Sequence, residues 1–545
     1  MVGIKQTEFF NHNQAYWLLG ALALLGLMLL GLHQTLLFDV DEGAFTEATR
    51  EMLESSDWGH TTLNGVDRFD KPIGVYWLQA ISASILGVNE FAFRLPSALA
   101  AWLSALILAR FAWELWGHRA AALLAVISVT SLGHWAMART ATADALLGLF
   151  FVLIFVDLCR ALFGQDFRKS RRVALWVALG LLVKGPVAIL LPLGSLVSLW
   201  AIDSNYRIRI QAIFLDMKSW AICFIVAGPW YVYAYLRHGQ GFIDGFILKH
   251  NIERFTGSME GHSGSLLYFM VVLPLLWLPW SPMFIRSFFN FKSQWQDPVL
   301  KYCWLWFLFV FFFFSFASTK LPHYLLYAGP AVCILMTHAS MNASRNFWNL
   351  TWVIAVSALS VLLLLPGYLQ QHLEVINDTF YRHLLLGSLV TEMKYGVPFI
   401  FFLMCVLALF KHLLRISGSS KVSFLTGTSF MAFALFQSAM LSVLVLPWWA
   451  MTLQGPVNEL ARITFNEKVT IVQWGVHFPS FATYRGQASP RRPPGQGEWA
   501  LVKISDFQWQ RDWAVVEARG PLAVVKPSVK SVGLTCADSV PCKEK

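Results

Sequence analysis

The sequence predicts an all-α polytopic membrane protein of about thirteen spans, closed by a small water-soluble α/β domain. Of its 545 residues, 56% are hydrophobic and 14% are charged, against about 25% charge in soluble domains. Apolar runs long enough to cross a bilayer recur from residue 17 to about residue 447. From residue 451 to 545 the chain turns polar and mixed, with short β-prone runs such as KVTIVQW and EWALVKI. A membrane domain, residues 1–450, therefore precedes a soluble domain, residues 451–545.

The first apolar run, WLLGALALLGLMLLGLHQTLLF (17–38), has only Lys5 before it and no small-residue cleavage pattern after it. It reads as a retained span rather than a removed signal peptide. In DEGAFTEATREMLESSDW, Ala44, Ala48 and Met52 fall at helical spacing among alternating charges, which predicts a helix lying along the membrane interface. FDKPIGVYWLQAISASILG carries Tyr76 and Trp77 between Lys71-Pro72 and Gly87, which predicts a second interfacial helix. Spans are expected near residues 15–37, 94–116, 119–138, 143–163, 172–184, 186–203 and 219–237, then near 265–287, 300–317, 323–341, 347–366, 395–414 and 422–447. WLPWSP (277–282) and PWWA (447–450) place Trp at span ends, where interfacial Trp is expected.

The net charge of +10 is a topology signal rather than a nucleic-acid one. Its basic residues cluster in short loops: Arg168, Lys169, Arg171 and Arg172; Arg207, Arg209 and Lys218; Arg286 and Lys292; Lys411, Arg415 and Lys421. Such loops stay cytoplasmic. With the N-terminus inside, all of them land on that side, and loops 39–93, 139–142, 238–264, 318–322 and 367–394 land outside with the C-terminal domain. Cys159, Cys223, Cys303, Cys333 and Cys405 fall in predicted spans as packing thiols. Cys536 and Cys542, framing TCADSVPC, read either as a small-loop disulfide in an oxidising space or as two free thiols.

The outer loops concentrate ionisable groups: Asp41 and Glu42; Asp70 and Lys71; Arg139 and Asp144; Lys249, His250, Glu253 and Arg254; Lys320 and His323; and Lys184 in LVKGP. Each alone reads equally as a solvated loop residue. Their recurrence at one membrane face points to a shared polar cavity, because charge at membrane depth is costly. Carboxylates there can take a proton from an attacking hydroxyl. Lys and Arg can hold a phosphate and the charge that develops as it leaves. An outer face has no soluble nucleotide sugar, so a phosphate-bearing donor would be lipid-linked; neither GxxxxGK[ST] nor GxGxxG occurs.

Several motifs, in order, resemble one family. These are the DE pair after the first span, DKPIGVYWLQA, RLPSAL at the second span, HNIERF, and KLPHY. They resemble the bacterial lipid-linked-sugar glycosyltransferases related to aminoarabinose transferase and, more distantly, protein O-mannosyltransferases, all of the GT-C fold. The likeness covers about residues 15–330, and FPSFATYRG (478–486) resembles the small periplasmic domain that often closes such chains. The resemblance implies a multi-pass enzyme of the bacterial inner membrane. It would move a sugar from a polyprenyl phosphate to an envelope acceptor (lipid A, another glycan or a protein hydroxyl), at the periplasmic face and with inversion.

By the same resemblance Asp41 is the general base or acceptor-orienting acid, Glu42 its supporting partner, and Asp144 the second acid. Lys71, Arg254 and Lys320 would contact the donor phosphate. Asp70 and His250 match a pair that can hold a divalent metal ion, a plain hydrogen-bonded pair being the other reading. Asp39 reads as loop. Aminoarabinose transferases commonly read DEtRYAEI where this chain reads DEGAFTEA, with Ala44 and Phe45 in place of Arg and Tyr, which leaves sugar and acceptor open. The alternative class is a transporter or flippase of a lipid-linked substrate, but transporters favour internal repeats and mid-membrane polar groups. The sequence shows no such repeat.

Overall fold

Backbone N–H and C=O groups find no water inside a bilayer, so a chain this apolar satisfies them within helices. The computed structural model describes residues 14–164, 166, 168–253, 264–265, 267–387, 421–505 and 513–528, and it is dominated by helices. Arg254, Cys405, Cys536, Cys542 and the span expected at 395–414 lie outside the described residues.

In chain order the first half comprises α1 (Gln14–Leu29), α2 (Asp41–Ser55), β1 (Thr62–Leu63), β2 (Val66–Asp67) and α3 (Gly74–Leu86). There follow α4 (Glu90–Trp116), α5 (His118–Thr130), α6 (Leu132–Met137), α7 (Asp144–Phe163), α8 (Lys169–Lys184), α9 (Val187–Ile202), α10 (Arg207–Leu215) and α11 (Met217–His238). Among the described residues six helices are long and apolar enough to cross a membrane, or up to eight if two bent pairs each count as one. Arg345–Gln371 is a further helix of 27 residues, over the span expected at 347–366, and other expected spans are shorter or broken. The one expected at 265–287 is Tyr268–Leu276 and Ser281–Phe289, bent by 118° across a break that contains Pro279. The one expected at 119–138 stops at Thr130, where Ser131 turns extended and Leu132 N donates to Leu278 O at 2.7 Å. Trp280 Nε1 donates to Thr130 Oγ1 at 2.8 Å. The two breaks therefore satisfy each other's polar groups, the condition for irregular backbone at membrane depth.

The composition change at residue 451 falls inside a helix. The last long apolar helix runs on through Leu446–Ile463, and its final turns carry Val457, Leu460 and Ala461 into the core of the C-terminal sheet domain. That domain is a four-stranded sheet, β3 (Ile471–Gln473), β4 (Trp499–Lys503), β5 (Trp513–Arg519) and β6 (Leu522–Pro527), in the order β3-β4-β6-β5. β3 pairs parallel with β4, and β6 runs antiparallel to both β4 and β5. Alternation splits its side chains between two faces. Ile471, Leu501, Leu522 and Val524 face the helical side, whereas Val472, Ala500, Val502, Ala523 and Val525 form a second cluster capped by Trp474 and Trp513.

The segment 39–93 departs from expectation in one element. α3 leaves Ile81 and Ile85 49% and 76% exposed, as suits a helix lying in the interface. α2, expected there too, is instead buried continuously from Glu42 to Met52, packed between α3 and the soluble-domain helix Pro479–Arg485. Its charged residues between Glu42 and Glu51 are covered by protein rather than solvated by lipid headgroups.

Candidate active site

α7 begins at Asp144 and α8 ends at Lys184, and the two helices pack together so that these residues meet. Lys184 Nζ donates to Asp144 Oδ1 at 2.5 Å, Tyr327 OH donates to the same oxygen at 2.7 Å, and His323 Nε2 stands 3.5 Å from it. Gly185 makes the junction possible: its φ of +84° is a left-handed conformation that costs glycine little, and a Cβ there would lie 2.6 Å from the Phe246 ring. Asp144 thus anchors the Lys184 ammonium, which also lies 5.4 Å from the centre of the Tyr327 ring.

Lys184 and Tyr327 form part of the wall of a cleft of about 420 Å³. The loop between β2 and α3 contributes Asp70 and Lys71, and the segment after α11 contributes His250 and Asn251. The rest is apolar, with Val187, Leu190, Phe313 and Phe314 among its lining. The cleft therefore combines basic and hydrogen-bonding side chains with a hydrocarbon-like lining. A second, narrower cavity lies beyond Tyr327 and is lined by Asp144, His134 and His323, so Asp144 and Tyr327 stand at the partition.

His250 Nε2 lies 2.7 Å from Asp70 Oδ1, and Arg68 Nη2 lies 3.0 Å from Asp70 Oδ2. Burial opposes ionisation of Asp70, but the His250 hydrogen bond and the Arg68 and Lys71 charges hold its carboxyl well below the usual carboxylate range. As it stands the pair is hydrogen-bonded. Its two ligand atoms are in direct hydrogen-bond contact, and a guanidinium holds the remaining carboxylate oxygen. No third His, Cys, Asp or Glu among the described residues completes a set with them.

Arg68 is a participant that the sequence did not single out. It donates to Tyr76 OH at 3.1 Å, lies over the Phe45 ring at 5.6 Å, and is within electrostatic reach of Asp41. It links the α2 end of the loop to the cleft. No sequence signal distinguishes it from other loop arginines; its position alone does.

The remaining candidates separate. Asp41 is exposed at the first turn of α2 and is not among the cleft-lining residues. Glu42, expected beside it in a catalytic role, is a structural anchor instead. Arg94 donates to both its oxygens, Nε to Oε1 at 2.8 Å and Nη2 to Oε2 at 2.7 Å. Ala141 N and Phe38 N complete the set at 2.7 and 2.9 Å. With every favourable acceptor direction used, Glu42 has no capacity left to take a substrate proton. Lys320, expected on the donor phosphate, donates to Ala317 O at 2.6 Å, at the end of helix Pro298–Phe316, and caps that helix. Arg139 is buried and donates to Trp135 O and Leu27 O at 3.2 and 2.7 Å, so it fastens α1 rather than facing Asp144. Asp39, read as loop, instead receives Ser480 N at 2.9 Å and also the Ser480 hydroxyl, and so holds the soluble domain.

A model of the family described as dolichyl-phosphate-mannose-protein mannosyltransferase matches residues 70–233. An uncharacterised protein of Aquifex aeolicus is 30% identical over 303 residues, which is 55% of this chain and 67% of that one. The chain belongs to the GT-C family of lipid-linked-sugar glycosyltransferases. Within that family, the undecaprenyl phosphate-α-4-amino-4-deoxy-L-arabinose arabinosyl transferase of Aeromonas salmonicida is 29% identical over 62% of this chain. The match spans 64% of that transferase's own length. Over the whole fold, the crystal structure of ArnT from Cupriavidus metallidurans bound to undecaprenyl phosphate superposes with a TM-score of 0.79 at 18% identity. It covers 96% of this chain and all of that one, so the GT-C architecture extends well beyond the part aligned by sequence.

Proposed function

We propose that this chain is a multi-pass inner-membrane glycosyltransferase that moves a sugar from a polyprenyl phosphate to an envelope acceptor at the periplasmic face. The amphipathic cleft carries this reading. A polyprenyl phosphate has an anionic head and a long apolar tail, and the cleft pairs Lys71, Lys184 and His250 with Val187, Leu190 and Phe313. The named arabinosyl transferases and the fold match support the same class of donor.

In the proposed step the acceptor oxygen attacks the anomeric carbon and forms a new C–O bond. The bond from that carbon to the phosphate oxygen breaks on the opposite face, which inverts the configuration, and polyprenyl phosphate leaves. Asp41 takes the acceptor proton. Lys71 and Lys184 stabilise the charge released onto the phosphate, and Asp144 with Tyr327 keeps Lys184 in place. Arg68 pairs with Asp70 and holds its carboxylate ionised beside Lys71. The acceptor is a hydroxyl or phosphate of lipid A, of another glycan or of a protein.

The test is transfer by purified protein from a polyprenyl-phosphate sugar, read by mass spectrometry on envelope lipids and glycans from cells with and without the chain. A sugar-sized mass increase that depends on the chain, and is lost in Asp41→Asn, is the expected result. Undiminished transfer by Asp41→Asn removes that residue from the mechanism, and no chain-dependent product removes the activity.

A further inference from the structure

Beyond the cleft, three side chains from separate parts of the outer face converge. His60 follows α2, Asp67 ends β2, and His238 is the last residue of α11. His60 Nε2 lies 2.9 Å from Asp67 Oδ1, His238 Nδ1 lies 3.5 Å from Asp67 Oδ2, and the three ligand atoms all fall within 4.8 Å of one another. The two imidazole rings are 4.2 Å apart between centres. We propose that His60, Asp67 and His238 bind a divalent transition-metal ion of the zinc class.

The donor set fits that ion. Two neutral imidazole nitrogens and one carboxylate oxygen are ordinary zinc ligands, and three protein ligands leave a fourth position for water. In a tetrahedron with ligands about 2.1 Å from zinc, neighbouring ligand atoms stand about 3.4 Å apart. The nitrogens stand 2.9 Å from Oδ1 and 3.5 Å from Oδ2, and one ligand atom from each residue falls within 4.8 Å of the others, so side-chain rotations can bring the set to that spacing. An ordinary ion pair sets one imidazole against one carboxylate; here two imidazoles meet one carboxylate, one at each oxygen. The buried Nε2 of His238 has no hydrogen-bond partner, so the ring's polar contacts all lie on the Nδ1 side that faces the cluster. Asp67 is the exposed member, with 54% of its side chain accessible, and gives the ion a route in from solvent.

The site also has a mechanical role. Its ligands join the β1–β2 hairpin to the end of α11, from which the segment bearing His250 departs. Phe69, beside Asp70, packs edge-on against His238 with ring centres 5.1 Å apart. A bound ion therefore fixes two walls of the cleft relative to each other without touching substrate.

The experiment uses the full chain in detergent, stripped with a chelator and titrated with Zn²⁺ and Co²⁺. Wild type is expected to take up one ion tightly and to give a visible Co²⁺ spectrum of four- or five-coordinate nitrogen and oxygen ligation. Asp67→Asn and the double variant His60→Gln/His238→Gln are expected to bind on the order of 100-fold more weakly or not at all. Asp70→Asn/His250→Gln, which alters the other histidine–aspartate pair, is expected to keep the ion. Should the His60/His238 variant not fold, wild type carries the test through two further readings. Zn²⁺ should slow hydrogen exchange at residues 239–253, and anomalous scattering at the zinc edge should place the ion between the three side chains. Wild type without Co²⁺ or Zn²⁺ uptake, or unchanged affinity in Asp67→Asn, overturns the proposal.

Discussion

Glu42 and Asp41 are adjacent acids with opposite fates, and substitution should separate them. Removing one member of a fully buried pair strands the other charge, so Glu42→Ala is expected to cost about 3–5 kcal/mol and to abolish folding or lower the melting temperature steeply. Asp41→Asn should melt like wild type while transfer falls roughly 10²- to 10⁴-fold, the usual contribution of a general base. A thermal-shift assay alongside a transfer assay distinguishes them. Lys184→Ala is expected to lower kcat/KM roughly 10- to 100-fold through a lost charged hydrogen bond to phosphate. The sequence made the acids conspicuous but not their division of labour. That division depends on Arg94, 52 residues further on, reaching back to pair with Glu42.

At the scale of elements, α2 is held by the soluble domain. Tyr484 OH accepts from Leu37 N at 2.8 Å, Thr483 Oγ1 donates to Glu47 Oε2 at 3.1 Å, and Ser489 N donates to Asn64 Oδ1 at 2.8 Å. Gly43 lets the two helices approach: a Cβ there would sit 2.5 Å from Ser480 N. This gives the GAF segment a physical reason, and Gly43→Ala is expected to loosen the docking and lower the melting temperature. Burial pushes Asp39 up to about 7 against its hydrogen bonds from Ser480, with Glu42 adding to the rise. Burial likewise pushes Glu47 up to about 7 against its pairing with Arg50. The native state then holds protons that the unfolded chain has released. The contribution of these groups to stability is fully present below about pH 4 and is lost as pH rises through about 7. Melting of the docked domain should therefore shift to lower temperature between pH 5 and pH 8, and Asp39→Asn should flatten that slope. Periodicity found α2 as a helix but misplaced it, because a helix covered by protein on both faces and one lying in headgroups share a pattern of small and charged residues.

For the whole molecule, orientation is the property to check. Val66 and Ile208 are both well exposed, at 68% and 80%, in loops expected on opposite sides. A cysteine at position 66 should react with a membrane-impermeant maleimide in intact spheroplasts, and one at position 208 only after the membrane is opened; the reverse pattern inverts the topology. The sequence by itself determined the helical membrane class and a family likeness carried by motifs such as DKPIGVYWLQA and RLPSAL. Composition and short-range spacing suffice for these, because crossing a bilayer constrains each segment separately. Only the tertiary structure decided that expected spans 119–138 and 265–287 break against each other, that Lys320 caps a helix, and that Lys184, Lys71 and His250 share one cleft. It also brought His60, Asp67 and His238 together from separate segments. The physical reason is the same in each case. Hydrogen bonds and ion pairs act over about 3 Å between residues far apart in the chain, and local pattern carries no record of which distant partner completes them.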